Sequence, residues 1–174
     1  MINLITYRTA TAADADRIAA LHARSWQETY RGIMPDWFLD DEVEAERLAV
    51  WRDRFWEPPA NQKVIVAEAD GQLAGFACVL LEHDARYGAL LDNLHVASAF
   101  KGRGIGRSLI RLAADWVEHQ DAASPFYLWV YEQNHAARRF YEGLGATNHE
   151  AVAGEHGVIL RYVWPTAGVV STPA

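Results

Sequence analysis

One run of the chain constrains its fold more than any other. Residues 90–96 read as a strand, and Lys101-Gly102-Arg103-Gly104-Ile105-Gly106-Arg107 as a glycine-rich turn. A helix follows, with Ile105, Leu109, Leu112, Ala113, Trp116 and Val117 on one stripe, and then an aromatic, β-branched strand over residues 126–131. Two strands joined by a long helix call for a right-handed parallel crossover. Any sheet built on this run therefore holds a parallel pair at its centre.

The flanking segments place that pair in a mixed sheet. Thr11-Ala12-Ala13-Asp14 is a capping box, and Ala15, Ile18, Ala19, His22 and Trp26 recur at helical spacing, so a first helix is expected over residues 12–30. Arg31-Gly32-Ile33-Met34-Pro35 breaks it, and a second helix is expected over residues 36–55. Residues 63–69 and 73–82 form an antiparallel hairpin around Asp70-Gly71. Asn134 caps a short helix with Ala137, Phe140, Tyr141 and Leu144 on its apolar face, and two weaker strands follow over 147–152 and 158–164. The expectation is an α/β domain over residues 1–165: a mixed, mostly antiparallel sheet of about seven strands, a central parallel β-α-β unit and helices on both faces. Residues 166–174 are expected as a loose C-terminal tail.

Composition narrows the function. The chain has 174 residues, of which 51% are hydrophobic and 22% charged, enough for one core without disulfide or metal staples. Its longest apolar stretch falls well short of a membrane span, and its first residues lack the pattern of a signal peptide. The single cysteine, Cys78, excludes an internal disulfide, so a cytoplasmic location is expected. The seven histidines show no metal-ligand spacing, and no metal is expected. A net charge of −7 disfavours nucleic acid as a partner.

That net charge hides a split. Lys101, Arg103, Arg107 and Arg111 cluster around the glycine turn with no acid between positions 97 and 114. Between positions 36 and 46 stand Asp36, Asp40, Asp41, Glu42, Glu44 and Glu46 with no base. A glycine-rich turn opening a helix is a site for phosphate. It is not a Walker loop, since no Gly-Lys-Ser/Thr follows, and Arg107 stands where a dinucleotide fingerprint needs its third glycine. The acidic run reads as helix-dipole complementarity on a solvated face, or as steering of a cationic substrate.

Leu94-His95-Val96 followed by Lys101-Gly102-Arg103-Gly104-Ile105-Gly106 resembles the [QR]-x-x-G-x-[GA] motif of the GNAT superfamily, the acetyl-CoA-dependent N-acetyltransferases. The stretch from Leu128-Trp129-Val130 through Asn134-His135-Ala136-Ala137-Arg138-Arg139-Phe140-Tyr141 to Gly145-Ala146 is similar to that family's second motif, and Ser25-Trp26 with Tyr30-Arg31-Gly32 and Pro35 looks like its bacterial members. Lys101 departs from the usual Gln or Arg, and Ser98 from the usual Pro or Asp.

The resemblance implies a cofactor and a set of roles. Acetyl-CoA would be the cosubstrate, with its pantetheine arm lying between two splayed parallel strands. Backbone groups at Leu94 and Val96 would hold that arm, the Leu94 N–H meeting the thioester carbonyl as an oxyanion donor. Lys101, Gly102, Arg103, Gly104, Gly106 and Arg107 would cradle the pyrophosphate, and Asn134 would contact the cofactor. Tyr141 matches the family's tyrosine near the sulfur, a general acid; the residues alone also admit a core aromatic on the helix stripe. Asp92 is a base acting through water, an ion-pair partner or an amine anchor. Trp26 and Tyr30, four residues apart, are candidate walls of an acceptor pocket, with Glu28 and Glu82 as candidate amine contacts. The expected activity is acetyl transfer to a primary amine on a small molecule, in a ternary complex. A non-catalytic acyl-CoA-binding module and a protein N-terminal or lysine acetyltransferase are the alternatives. The resemblance leaves a homodimer open.

Overall fold

The structure is a computed structural model that describes residues 4–171. In chain order its elements are β1 (Ile5–Thr9), α1 (Ala15–Thr29), α2 (Val43–Trp56), β2 (Gln62–Ala69), β3 (Gln72–Asp84), β4 (Gly88–Val96), α3 (Ile105–Gln120), β5 (Phe126–Tyr131), α4 (His135–Glu142), β6 (Thr147–Gly154), β7 (Gly157–Trp164) and the single turn α5 (Gly168–Ser171). The strands form one seven-stranded sheet in the order β1-β2-β3-β4-β5-β7-β6. The chain divides into two compact units: residues up to 78 with 93–109, and residues 79–92 with 110 onward.

In the first unit, β1 is the strand that sequence periodicity left unplaced. It pairs antiparallel with β2, from Ile5 opposite Ala69 to Thr9 opposite Ile65. Its outward Arg8 explains why a short polar segment is held. Both terminal guanidinium nitrogens of Arg8 donate to the Asp14 carboxylate, at 2.7 and 2.8 Å, and Arg8 and Arg17 converge on Glu68. Asp14 is 2% exposed and also accepts from the Thr11 N–H at 2.8 Å, the reciprocal half of the capping box. Hydrogen bonds from Arg8 hold its carboxyl down to about 2, against the cost of burial.

The first two helices differ from the periodic expectation at their starts. Residues Ala12–Asp14 form a 3₁₀ turn before α1, and Phe38–Glu42 form a π-helical turn before α2. The second has a visible cause. Gln27 Nε2 donates to the Leu39 carbonyl at 2.9 Å, and Arg31 holds Asp36 and Asp40 from outside, so side chains compete with the backbone ladder. Ile18, Ala19 and Leu21 of α1 and Trp51 of α2 bury themselves against Val64, Val66, Phe76 and Cys78. Gly75, beside Phe76, faces α3: a Cβ there would lie 2.8 Å from the His95 carbonyl oxygen and 3.1 Å from Leu109 Cδ1. This half of the sheet is thus covered on both faces. Asp70 and Gly71 both take left-handed φ, at 52° and 74°, as the tight hairpin requires.

In the second unit, the parallel crossover is present. Ala89 pairs with Phe126 and Leu90 with Tyr127. β5 pairs antiparallel with β7 along its whole length, and β7 with β6, with an irregularity between Asn148 and Glu150. One face stacks Phe126 on Trp164 beneath α4, and Trp164 Nε1 donates to the Leu144 carbonyl at 2.8 Å. The other carries Leu90, Tyr127 and Val163 with Leu80, Tyr87 and Trp129. The segment expected as a loose tail is tied down through residue 170. The Ala167 N–H donates to the Ser124 carbonyl, and Ala167 and Val170 are buried. Apolar side chains in a short polar stretch gave a helical turn its footing; residues 172–174 lie outside the described residues.

Two histidines meet in the first unit, His22 buried and His95 half-buried. Trp51 Nε1 donates to His22 Nδ1 at 2.9 Å, the His22 and His95 rings lie 4.5 Å apart, and Ser25 Oγ shares a 2.8 Å hydrogen bond with His95 Nδ1. Burial drives both imidazoles far below the usual 6.5, His95 to about 3. The unfolded chain takes up these protons below pH 6.5 and the native state does not. Stability is therefore complete above pH 6.5 and falls as pH drops, each histidine adding a slope of about 1.4 kcal/mol per pH unit. Urea midpoints measured between pH 7 and pH 5 should fall on the acid side, and His95→Phe should lessen the decline. An equal decline in that variant would count against a neutral His95.

Candidate functional site

The glycine turn of the first unit meets the physical requirements of a phosphate cradle. After β4 the chain makes one 3₁₀ turn, Ser98–Phe100. Gly102 and Gly104 then adopt φ of 77° and 79°, with nothing within 4 Å of where a Cβ would stand. Other L-residues resist that backbone conformation. The first helical bond of α3 runs from the Ser108 N–H to the Gly104 carbonyl. The N–H groups of Ile105, Gly106 and Arg107 precede it and have no carbonyl within the helix to meet. Lys101, Arg103 and Arg107 are exposed around this opening, and the Arg103 guanidinium lies 5.2 Å from the Phe100 ring centre. Open backbone, helix N-terminus and three cations together suit a pyrophosphate. Leu94 and Val96 are half-buried at the end of β4.

The acceptor candidates of this unit are already engaged. Trp26 and Tyr30 meet edge to face at 5.8 Å, as their spacing implies. Trp26 also touches His22 and Phe38, and Arg47 lies 4.4 Å over its ring. Glu28 accepts a short hydrogen bond from Ser98 Oγ, which ties α1 to the segment leading into the glycine turn. Part of the acidic run is neutralised locally, by Arg31 on Asp36 and Asp40 and by Arg47 on Glu46. A cleft of about 270 Å³ lined by Arg17, Arg24, Gly71, Gln72, Leu73 and Ala97 also opens on this unit and contains none of the expected site residues.

In the second unit Asn134 caps α4, accepting from the Ala137 N–H at 3.2 Å. Tyr141 is half-buried one face along, its ring 6.2 Å from Trp164. Asp92, half-buried on β4, acts electrostatically on Tyr127, whose phenol is pushed up first by burial and then by Asp84 and Asp92. Glu82 is exposed and takes a left-handed φ of 48° inside β3. Tyr127 and His83 share a 2.6 Å hydrogen bond. Arg161 is wrapped by Tyr87, Tyr127 and Trp129 at 4.0, 4.9 and 4.3 Å, and pairs with Asp84 and Glu150. Sequence reasoning missed this cluster. The alternation Tyr127, Trp129, Tyr131 along β5 was the available signal. Among the described residues, no group of three His, Cys, Asp or Glu side chains is placed to hold a metal ion, and no helix is long and apolar enough to cross a membrane.

Residues 25–146 match the acetyltransferase (GNAT) family model, and the chain belongs to that family. It is 28% identical over 179 residues to the uncharacterized N-acetyltransferase YuaI of Bacillus subtilis, covering 97% of this chain and 98% of the relative. It is 32% identical over 121 residues to a streptothricin acetyltransferase of Streptomyces lavendulae, covering 63% and 61%. Its fold matches PaiA N-acetyltransferase from Thermoplasma acidophilum, solved in complex with coenzyme A, at a TM-score of 0.75 with 20% identity over 92% of this chain and 99% of that one.

The space around the turn glycines sets their mutational cost. Gly104→Ala should lose about 1 kcal/mol through φ alone. Gly88→Ala should lose clearly more, because φ is 70° and its Cβ would stand 2.4 Å from the Pro125 carbonyl oxygen. Urea denaturation of the two variants checks this, and equal costs would contradict the open cradle.

Proposed function

We propose that the protein transfers the acetyl group of acetyl-CoA to a primary amine on a small molecule, directly, in a ternary complex. The observation that carries this reading is the open, left-handed glycine turn at the start of α3 with its three exposed cations. Lys101, Gly102, Arg103, Gly104, Gly106 and Arg107 hold the pyrophosphate, backbone groups at Leu94 and Val96 hold the pantetheine arm, and Asn134 contacts the cofactor while capping α4. Bound acetyl-CoA supplies an acyl group activated as a thioester. The Leu94 N–H donates to the carbonyl oxygen as negative charge builds there. Tyr141 Oη gives its proton to the departing sulfur, and Asp92 draws the ammonium group and takes its proton. Trp26, Tyr30, Glu28 and Glu82 border the acceptor. The similarity to a streptothricin acetyltransferase supports a small-molecule acceptor. Residues 1–165 make up one acetyltransferase domain, and a reducing, cytoplasmic compartment suits the single buried cysteine.

Calorimetry with acetyl-CoA, followed by thiol release against polyamines, aminoglycosides, amino acids and peptides, tests this function. Absence of acetyl-CoA binding at millimolar concentration would overturn it, and binding without acetylation of any amine would leave a cofactor-binding module instead. Tyr141→Phe should lower kcat by about a hundredfold while leaving acetyl-CoA affinity within about twofold. A parallel loss of affinity would instead make Tyr141 a packing residue.

A further inference from the structure

The second unit contains a histidine that the reading above does not use. β3 is extended until Glu82, whose φ of 48° is left-handed. A residue in that conformation inside a strand interrupts the two-residue alternation and re-aims the side chain after it. Leu80 packs against the Leu90, Tyr127 and Val163 cluster, and His83, three residues on rather than two or four, bonds the Tyr127 hydroxyl through Nδ1 at 2.6 Å. Backbone strain of this kind persists where the surroundings hold it, and it clusters at working sites.

The pair runs from inside to outside. Tyr127 is 2% exposed, whereas His83 is exposed to solvent. Tyr127 stands opposite Leu90 in the parallel ladder, and Asp92, two residues further along β4, acts electrostatically on it. The other charged and titratable groups of the cluster are Asp84 on β3, Arg86 and Tyr87 in the β3–β4 turn, Arg161 on β7, and His149 and Glu150 on β6. Arg161 is paired with Asp84 and Glu150, so its charge is largely balanced.

We propose that His83, held by Tyr127, is the final proton acceptor of the reaction, receiving through the Tyr127 hydroxyl the proton that Asp92 takes from the acceptor ammonium group. The inference rests on the acetyltransferase reading. The ammonium N–H bond breaks and an O–H bond forms on Asp92. That proton passes to Tyr127 Oη as the phenol's own proton moves to His83 Nδ1. The imidazolium then releases one proton to water, and exchange of the remaining ring proton with water returns the neutral ring to the Nε2–H tautomer, with Nδ1 free to accept again. The freed amine lone pair forms the C–N bond as the C–S bond breaks; the departing sulfur takes the Tyr141 proton, and the second proton lost from the nitrogen restores Tyr141 Oη. With cofactor and acceptor excluding bulk water, such a route clears Asp92 for the next turnover.

The test compares two acceptors: an alkylamine found in the panel above, and 2,2,2-trifluoroethylamine, whose nitrogen is already neutral at pH 7. His83→Gln should lower kcat/KM for the alkylamine by about tenfold or more and flatten the acid limb of its pH profile. The rate with trifluoroethylamine and the affinity for acetyl-CoA should stay within about threefold of wild type. Independently of turnover, NMR of the His83 ring nitrogens in the free protein should show a hydrogen bond at Nδ1 that is lost in Tyr127→Phe, with circular dichroism confirming that the variant is folded. An unchanged alkylamine profile in His83→Gln, or an unchanged His83 Nδ1 signal in Tyr127→Phe, overturns the proposal and leaves the acetyltransferase reading standing. Failure of the wild type to bind acetyl-CoA overturns both, and is distinguishable because it precedes any comparison of variants.

Discussion

The molecule depends on a parallel ladder that begins and then stops. Ala89 and Leu90 pair with Phe126 and Tyr127, yet β4 runs on to Val96 and β5 to Tyr131. Among the described residues the register of this pair ends there. In the proposed reading, the amide-bearing arm of the cosubstrate lies beside β4 beyond that point, as an added strand would. The side chains that the proposed chemistry needs, Asp92 and Tyr127, are placed at the point where pairing ceases.

Charge is arranged by locality rather than by total. The acid-rich start of α2, which the bare sequence offered as a field for cationic acceptors, spends part of itself on Arg31 and Arg47. Asp14 and Glu68 are likewise used to fasten β1 and α1 to β2. The cations of the glycine turn are exposed, in contrast, and Arg103 lies over the Phe100 ring. The net charge of −7 therefore says little about which ligand the turn accepts.

Elements with strong local signals were legible in the sequence. The crossover, the Asp70-Gly71 hairpin and the α4 cap at Asn134 each rest on patterns of a few residues that only one local structure satisfies. β1 was not legible, because its stability comes from Arg8 reaching a carboxylate in the next turn of chain and another on β2. The π-turn before α2 depends on Gln27 reaching Leu39, twelve residues away. The candidate site divides in the same way. The glycine turn was readable as a unit. His83 was not, since its alignment with Tyr127 follows a left-handed Glu82, a conformation that Glu does not advertise.

The emptiness around Gly102 and Gly104 has a consequence for how such a protein diverges. Nothing crowds those positions, so the requirement there concerns dihedral angle alone. Selection on a side chain can be met by several chemical substitutes, as Lys101 standing for a more usual residue illustrates. A backbone angle near +78° is met at least cost by glycine. A requirement of that kind is written in absent side chains, where those of the aromatic and acidic positions are written in present ones.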